Sequence, residues 1–353
     1  MHYTGHSQYG YTRRYWHFDF KFDRMESTTM TLGLALLGTG RIAANAFVPA
    51  VKAVAGADLV AVLSRDKDRG AEFARQHGIP KSYHDLDALL QDANVDGVIV
   101  ATPDAMHEAQ VIAAVQAGKH ILCEKPMTAT LAGCERMAEV VRGSGVTFAM
   151  GYNNRFNTGL RHIKTLLETD DIGPVRYARA LLTAAVNDPE GWRAHSDQAR
   201  YWAMSAVGTH VLDCWRWFFG DPASVGGAWS SPKHQVPNDE ITTMVLNYPG
   251  RMIAEFTVAA IFQAPSRLEI YGESGSIMGT DVFGANPSGP ITCNGRDIAY
   301  TPQNPFVLEI EDFVEAVRDQ RPPCTTLDDG LVNVRIMETA RDGAIQLPID
   351  QGA

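Results

Sequence analysis

The chain reads as an α/β protein in which an N-terminal, doubly wound parallel sheet is followed by an α+β domain built on a large, mainly antiparallel open sheet. Three observations predict this. A short apolar run from Thr31 to Leu37 enters a turn carrying Gly38 and Gly40. Strand and helix patterns then alternate to about residue 150. Beyond that point strand-like segments outnumber helical ones and are broken by turn residues, and two helical patterns close the chain.

The opening strand and turn carry a dinucleotide fingerprint, GxGxxA. Gly38 makes the tight turn, and Gly40 leaves the backbone open to a pyrophosphate. Ala43 lets the next helix pack closely, with its free N–H groups toward the phosphate. Gly38, Thr39, Gly40, Arg41 and Ile42 are therefore expected at the cofactor. Asp58 to Ser64 reads as the second strand, Asp66 to His77 as a helix, and Asp96 to Thr102 as another buried strand. The acidic residue expected about 20 residues after the fingerprint is replaced by Ser64 and Arg65, with Asp66 one step later. A hydroxyl and a guanidinium suit the ribose phosphate of NADP, which a carboxylate would repel. If Arg65 instead stacks on the adenine and Asp66 turns to the ribose, NAD fits. The expected cofactor is NADP or NAD, and the Ser–Arg pair leans toward NADP.

Two further motifs follow in order, ATPDAMH from Ala101 to His107 and AGKHILCEKPMT from Ala117 to Thr128. With the fingerprint, they make the chain resemble the Gfo/Idh/MocA oxidoreductases from about Thr31 to its end, on an N-terminal Rossmann domain. The resemblance implies that Lys125 lies beside the nicotinamide and the substrate hydroxyl. It also implies that Glu124 and Pro126 shape the turn, and that Thr102, Pro103 and His107 cover the cofactor; His107 has the alternative of capping its helix. Lys125 is also a candidate on its own, because an ammonium at the carboxyl end of a parallel strand sits at the rim where such sheets bind ligands. Burial there lowers a lysine pKa toward catalysis.

A second centre falls between Gly191 and Gly220, where polar and aromatic residues precede an apolar helix. The resemblance implies Asp-x-Gly-x-His here, and Gly208 and His210 match, with Asp213 one turn beyond. Ala206 stands where the family has aspartate, so any polar partner of His210 must come from elsewhere; Tyr201, Ser205 and Asp213 are the candidates. Tyr152 and Arg155 in GYNNRF, and the Trp192–Arg193 pair, resemble the family's substrate-facing segments. Aromatic faces beside guanidinium groups suit polyols. Lys125 and His210 are the expected catalytic residues. Lys125, Tyr152, Arg155, Trp192, Arg193, Tyr201, His210 and Asp213 are the expected substrate contacts, Arg155 having an interdomain ion pair as its other reading.

Pro174 to Val186, Val225 to Trp229, Ile241 to Tyr248, Met252 to Ala260, Arg267 to Tyr271 and Ser276 to Gly279 favour strands, and Phe306 to Asp319 and Leu327 to Ile345 favour helices. The apolar residues at successive positions in TTMVLNY and IAEFTVAAIF suggest a sheet covered on both faces, one of them by a second subunit. A homodimer or homotetramer through this sheet is expected. The expected organisation is an extension at 1–29, a nucleotide-binding domain at 30–150, and a substrate-binding and oligomerisation domain at 151–353 whose last helix returns toward the first.

The 353 residues carry a net charge of −10, which argues against a nucleic-acid partner. No apolar run approaches the ~20 residues of a membrane span. The five cysteines are scattered without metal-ligand spacing, so no metal and a reducing cytoplasm are expected. Arg13-Arg14 is not followed by the apolar core of an export signal. The first residues read instead as an arm, or as preceding a start at Met25 or Met30. The expected activity is hydride transfer between nicotinamide and a secondary alcohol or ketone of a sugar, cyclitol or related polyol. Two alternatives keep the fold: a glycoside hydrolase working by transient oxidation and elimination on retained NAD, and a nucleotide-binding regulator without catalysis.

Overall fold

Residues 31–343, apart from 187, 196–197 and 285–286, are described by a computed structural model. The expected N-terminal extension therefore lies outside the described residues, as does the end of the last expected helix. Six strands, β1 (Leu32–Leu37), β2 (Ala57–Leu63), β3 (Lys81–Tyr83), β4 (Gly97–Val100), β5 (His120–Glu124) and β6 (Phe148–Gly151), form one sheet. Their spatial order is β3-β2-β1-β4-β5-β6, with every pairing parallel. The order reverses between β1 and β4, and at such a switch point the strand ends leave a crevice for a ligand. β1 and β4 are buried throughout, as strands with helices on both faces must be.

Local sequence sets the boundaries. The helix Lys67–His77 starts at Asp66, whose side chain accepts the Arg69 N–H at 2.9 Å, and stops at Gly78 in the left-handed region. Asn304 caps the helix Pro305–Arg318, and Thr326 with Asp329 forms a capping box for the helix Leu327–Asp342. These last two helices pack on the first sheet. Phe306, Ile310 and Phe313 share a core with Leu34, Phe47 and Val62 on one face, while Leu327, Leu331 and Val334 join Val98, Cys123 and Met150 on the other.

The second sheet contains β7 (Val175–Thr183), β8 (Ser224–Ser230), β9 (Ile241–Tyr248), β10 (Met252–Ala259), β11 (Arg267–Gly272), β12 (Ser276–Thr280), β13 (Ile291–Cys293) and β14 (Arg296–Asp297). Its order is β14-β13-β12-β11-β7-β10-β9-β8, antiparallel except where β10 runs parallel to β7. One face carries the core, with Phe256, Val258, Met244 and Leu268 against Trp202, Leu212 and Trp215. The other face is less buried. β9 and β10 alternate between buried and more exposed positions, and Ile253 is 43% exposed. On that outer side, where a second subunit is expected, Thr243, Glu255 and Thr257 interleave with the apolar residues.

Candidate active site

The turn after β1 has room for a phosphate. Gly38 has φ +112°, and a Cβ there would stand 2.7 Å from the Ala101 carbonyl, so this crossing requires glycine. A Cβ on Gly40 would have no heavy atom within 4 Å: the space above it is open. Thr39 Oγ1 is buried nearby without a hydrogen-bond partner. Arg41 and Ile42 are exposed, and Ala43–Phe47 forms a π-helical turn running into the helix Val48–Ala53. At the end of β2 the Ser64 hydroxyl is also buried and unpartnered. Arg65 to Arg69 line an open cleft beside it. Asp66 is occupied in capping its helix. These orphaned hydroxyls and the open glycine fit a nicotinamide dinucleotide.

The TPD and EKP turns meet at the carboxyl ends of β4 and β5. His107 ties them together, one ring nitrogen 3.0 Å from the Pro126 carbonyl and the other 3.0 Å from that of Thr102. It is fully buried, and its side chain joins the two turns expected at the cofactor. Thr102 donates its hydroxyl to Gln110 at 2.6 Å, and Pro103 opens the short turn Asp104–Met106. The Lys125–Pro126 peptide bond is cis. The Glu124 carboxylate accepts the Lys125 N–H at 3.0 Å, and burial raises its pKa.

Lys125 is only 8% exposed. Its ammonium donates to the main-chain carbonyls of Ser205 at 3.1 Å and Ala206 at 2.9 Å. Burial lowers its pKa from the ordinary 10.5 to about 8; Arg193 adds to the fall, while Glu124 and Asp104 oppose it. Ser205 and Ala206 lie in a π-helical turn, Met204–Gly208, that leads straight into the helix Thr209–Phe219 carrying His210. Burial, with the Lys125 charge, holds His210 well below its ordinary pKa, so it is neutral. Its Nδ1 is buried with no partner among the described residues. Tyr152 donates or accepts at Thr209 Oγ1, 3.1 Å away, and its ring meets the imidazole edge-on at 6.4 Å.

Trp192 and Arg193 sit in a short turn, the guanidinium 4.1 Å above the indole, where it interacts with Asp104 and Glu124. Lys125, His210, Tyr152 and Arg193 thus converge. Arg155 and Asp213 do not join them. Arg155 makes two bonds to Asp213 at 2.7 and 2.8 Å and a third to Asp329 at 2.7 Å, all buried or nearly so. Asn333 also donates to Asp213. Arg155 and Asp213, both expected as substrate contacts, are thus engaged with one another, and Asp329 ties Arg155 to the last helix, which packs on the first sheet. Tyr201 packs in the core under the Arg341 guanidinium, 5.0 Å from its ring centre.

Two acids were missed from the sequence. Asp104 is buried and bonded to the Ser205 hydroxyl; Asp239 accepts the Trp202 and Met204 N–H groups, each at 2.8 Å. Asp104 stands inside the quoted ATPDAMH motif, but its partner lies 101 residues away, a distance no local pattern spans. Among the described residues no cluster of His, Cys, Asp and Glu could hold a metal, and no helix is long and apolar enough to cross a membrane.

Residues 32–152 match the model of the oxidoreductase family with an NAD-binding Rossmann fold, and residues 160–278 match the GFO/IDH/MocA C-terminal domain. The chain is similar to a 1,5-anhydro-D-fructose reductase of Ensifer adhaerens, 28% identical over 84% of this chain and 91% of that one. It is 30% identical to an inositol 2-dehydrogenase of Saccharopolyspora erythraea over 70% and 73% of the two chains. An aldose-aldose oxidoreductase from Caulobacter crescentus, solved with glycerol, superposes with a TM-score of 0.82 at 26% identity, covering 90% of this chain and all of that one. With both sheets, the glycine turn and the lysine of the EKP turn in their places, the chain belongs to the Gfo/Idh/MocA family and is an NAD(P)-dependent dehydrogenase or reductase acting on CH–OH groups.

Proposed function

We propose that this enzyme interconverts a secondary alcohol and a ketone on a sugar, cyclitol or related polyol, with Lys125 and His210 handling the proton. The observation that carries this reading is the convergence of a buried ammonium and a neutral imidazole, joined through the Met204–Gly208 turn. The sugar and polyol relatives support the substrate class. When bound, the nicotinamide takes up or supplies the hydride. In the oxidation direction neutral His210 accepts the hydroxyl proton, and the Lys125 ammonium stabilises the negative charge that develops on oxygen. In reduction the same two groups polarise the carbonyl and return the proton. Trp192 and Arg193 line the substrate side, one through its ring face and the other through N–H donors.

NADP is the favoured cofactor in this reading, supported by the free Ser64 hydroxyl, the exposed Arg65 and the engaged Asp66. The outer face of the second sheet is the proposed subunit contact.

The test is the reduced-cofactor absorbance with a panel of sugars, cyclitols and sugar acids, each offered with NAD and with NADP. One polyol is expected to give turnover that falls by about 10²-fold or more in Lys125→Ala, with Arg65→Ala weakening NADP and sparing NAD. Turnover that survives Lys125→Ala would reject the mechanism. Silence on free polyols with sugar released from glycosides would replace it with the elimination route.

A further inference from the structure

What holds Lys125 in place is not a carboxylate. Among the described residues its ammonium has two hydrogen-bond acceptors, and both are main-chain oxygens of the Met204–Gly208 turn. A backbone carbonyl stands wherever its turn stands, so the placing of the ammonium passes to whatever fixes the turn. Two buried acids do so. Asp239 fixes its entrance, accepting from the N–H groups of Trp202 and Met204 and from the Thr242 hydroxyl. Asp104 acts on the acceptor residue itself: it takes the hydroxyl of Ser205, the residue whose carbonyl receives Lys125.

That second contact crosses the molecule. Asp104 belongs to the turn after β4, on the nucleotide-binding sheet, and Ser205 to the segment before the His210 helix. A backbone bond one residue on, from the Ala105 N–H to the Gln198 carbonyl at 3.1 Å, runs the same way. Asp104 is 2% exposed and Ser205 fully buried. A carboxylate in such a place must be hydrogen-bonded, and a hydroxyl donating to it is held more strongly than in a neutral pair. The serine then presents its own carbonyl to the lysine, and successive hydrogen bonds in a dry site polarise one another.

We propose that Asp104 and Ser205 are a positioning pair, a polar latch between the nucleotide-binding loop and the substrate-side helix that sets the carbonyl oxygens on which Lys125 rests. The inference relies on the proposed role of Lys125, and its consequence is a definite readiness of that lysine to exchange a proton. The groups facing the ammonium are Glu124, Asp104, Arg193 and His210. The two acids favour its charged form, and burial and Arg193 oppose it. Opening the latch frees those carbonyl oxygens to draw away from the ammonium, and Asp104→Asn removes a negative charge as well, so in either case the lysine loses its proton more easily.

The experiment uses the unloaded full-length protein and needs no substrate. Lys125 is labelled competitively with acetic anhydride across a pH series, and the reaction is followed on its peptide by mass spectrometry. Wild type is expected to become reactive around about pH 8. Ser205→Ala and Asp104→Asn are each expected to shift that midpoint down by roughly half a pH unit or more. The double variant should shift it no further than Asp104→Asn alone, because that change already opens the latch and removes the charge. Should a single variant fail to fold because a buried group lost its partner, Asp104→Leu combined with Ser205→Ala, which removes both polar groups, carries the test. A purely structural pair would lower thermal stability and leave the Lys125 midpoint in place in Ser205→Ala, which changes no charge; that result, or additive shifts, overturns the proposal. Turnover surviving Lys125→Ala would instead reject the catalytic reading, whatever the labelling shows.

Discussion

Lys125 illustrates how one residue can be a liability for folding and an asset for chemistry. In the unfolded chain it keeps its proton up to its ordinary pKa of 10.5, whereas the folded protein releases it at about 8, mainly because burial penalises the charge. Between those values the unfolded state binds more protons, so the folded state gains stability as pH rises. Below pH 8 the penalty is present in full. Relative to Lys125→Met, wild type is therefore expected to gain about 1.4 kcal/mol for each pH unit above 8. Denaturant unfolding of both proteins across a pH series measures the difference, and a difference independent of pH would mean that the ammonium is solvated. The same scale shows where residue-level reading fails. Arg155 and Asp213 have the chemistry of substrate ligands, and only the fold reveals that they lie against one another and Asp329.

At the scale of elements, the glycine turn after β1 was legible because each position has a separate local reason. Gly38 is needed by the backbone itself, given its positive φ and the nearby Ala101 carbonyl, while a side chain on Gly40 would meet nothing in the protein. The two should come apart on substitution. Gly38→Ala is expected to cost about 1–3 kcal/mol of stability through strain. Gly40→Ala should melt like wild type yet bind the dinucleotide roughly tenfold or more weakly, a loss of about 1.4 kcal/mol or more, because its methyl group fills the approach to the backbone. Calorimetry of both variants, paired with cofactor titration, reads the split; a Gly40→Ala protein with unchanged affinity would remove the phosphate from that place. The strands and helices were equally legible, since period and caps are local: β9 runs over the expected residues, and the helix expected from Asp66 begins one residue later with Asp66 as its cap. The strands β13 and β14 at one end of the second sheet were not, being three and two residues long. Nor was the π-helical turn at Met204–Gly208, whose position depends on Asp239 more than 30 residues away.

Over the whole molecule, the second sheet closes its core on one side and leaves the other partly open. That outer side is not uniformly apolar. Tyr177 donates to Glu255, Arg179 and Tyr271 both reach Glu269, and Tyr177 stacks on Tyr271 with ring centres 5.9 Å apart. Beside this polar network lie Ile253, Val245 and Leu181, half-buried or exposed. An apolar part beside paired charges suits the subunit contact proposed above. Since Ile253 is its most exposed apolar side chain, Ile253→Arg would place two like charges near any two-fold axis through the patch and break the contact without disturbing the core behind it. Light scattering during size exclusion is expected to give a multimer for wild type and a smaller species for the variant, with the circular dichroism unchanged. Lys125 is reached by the Met204–Gly208 turn from the inner side of the same sheet, where Gly208 packs against Val258 of β10. A separated protomer should therefore retain its cofactor affinity and lose turnover only as far as the sheet relaxes. A wild-type protein that is monomeric at assay concentration would assign this face to solvent and leave its ion pairs as the means by which an open sheet edge-to-face surface stays soluble.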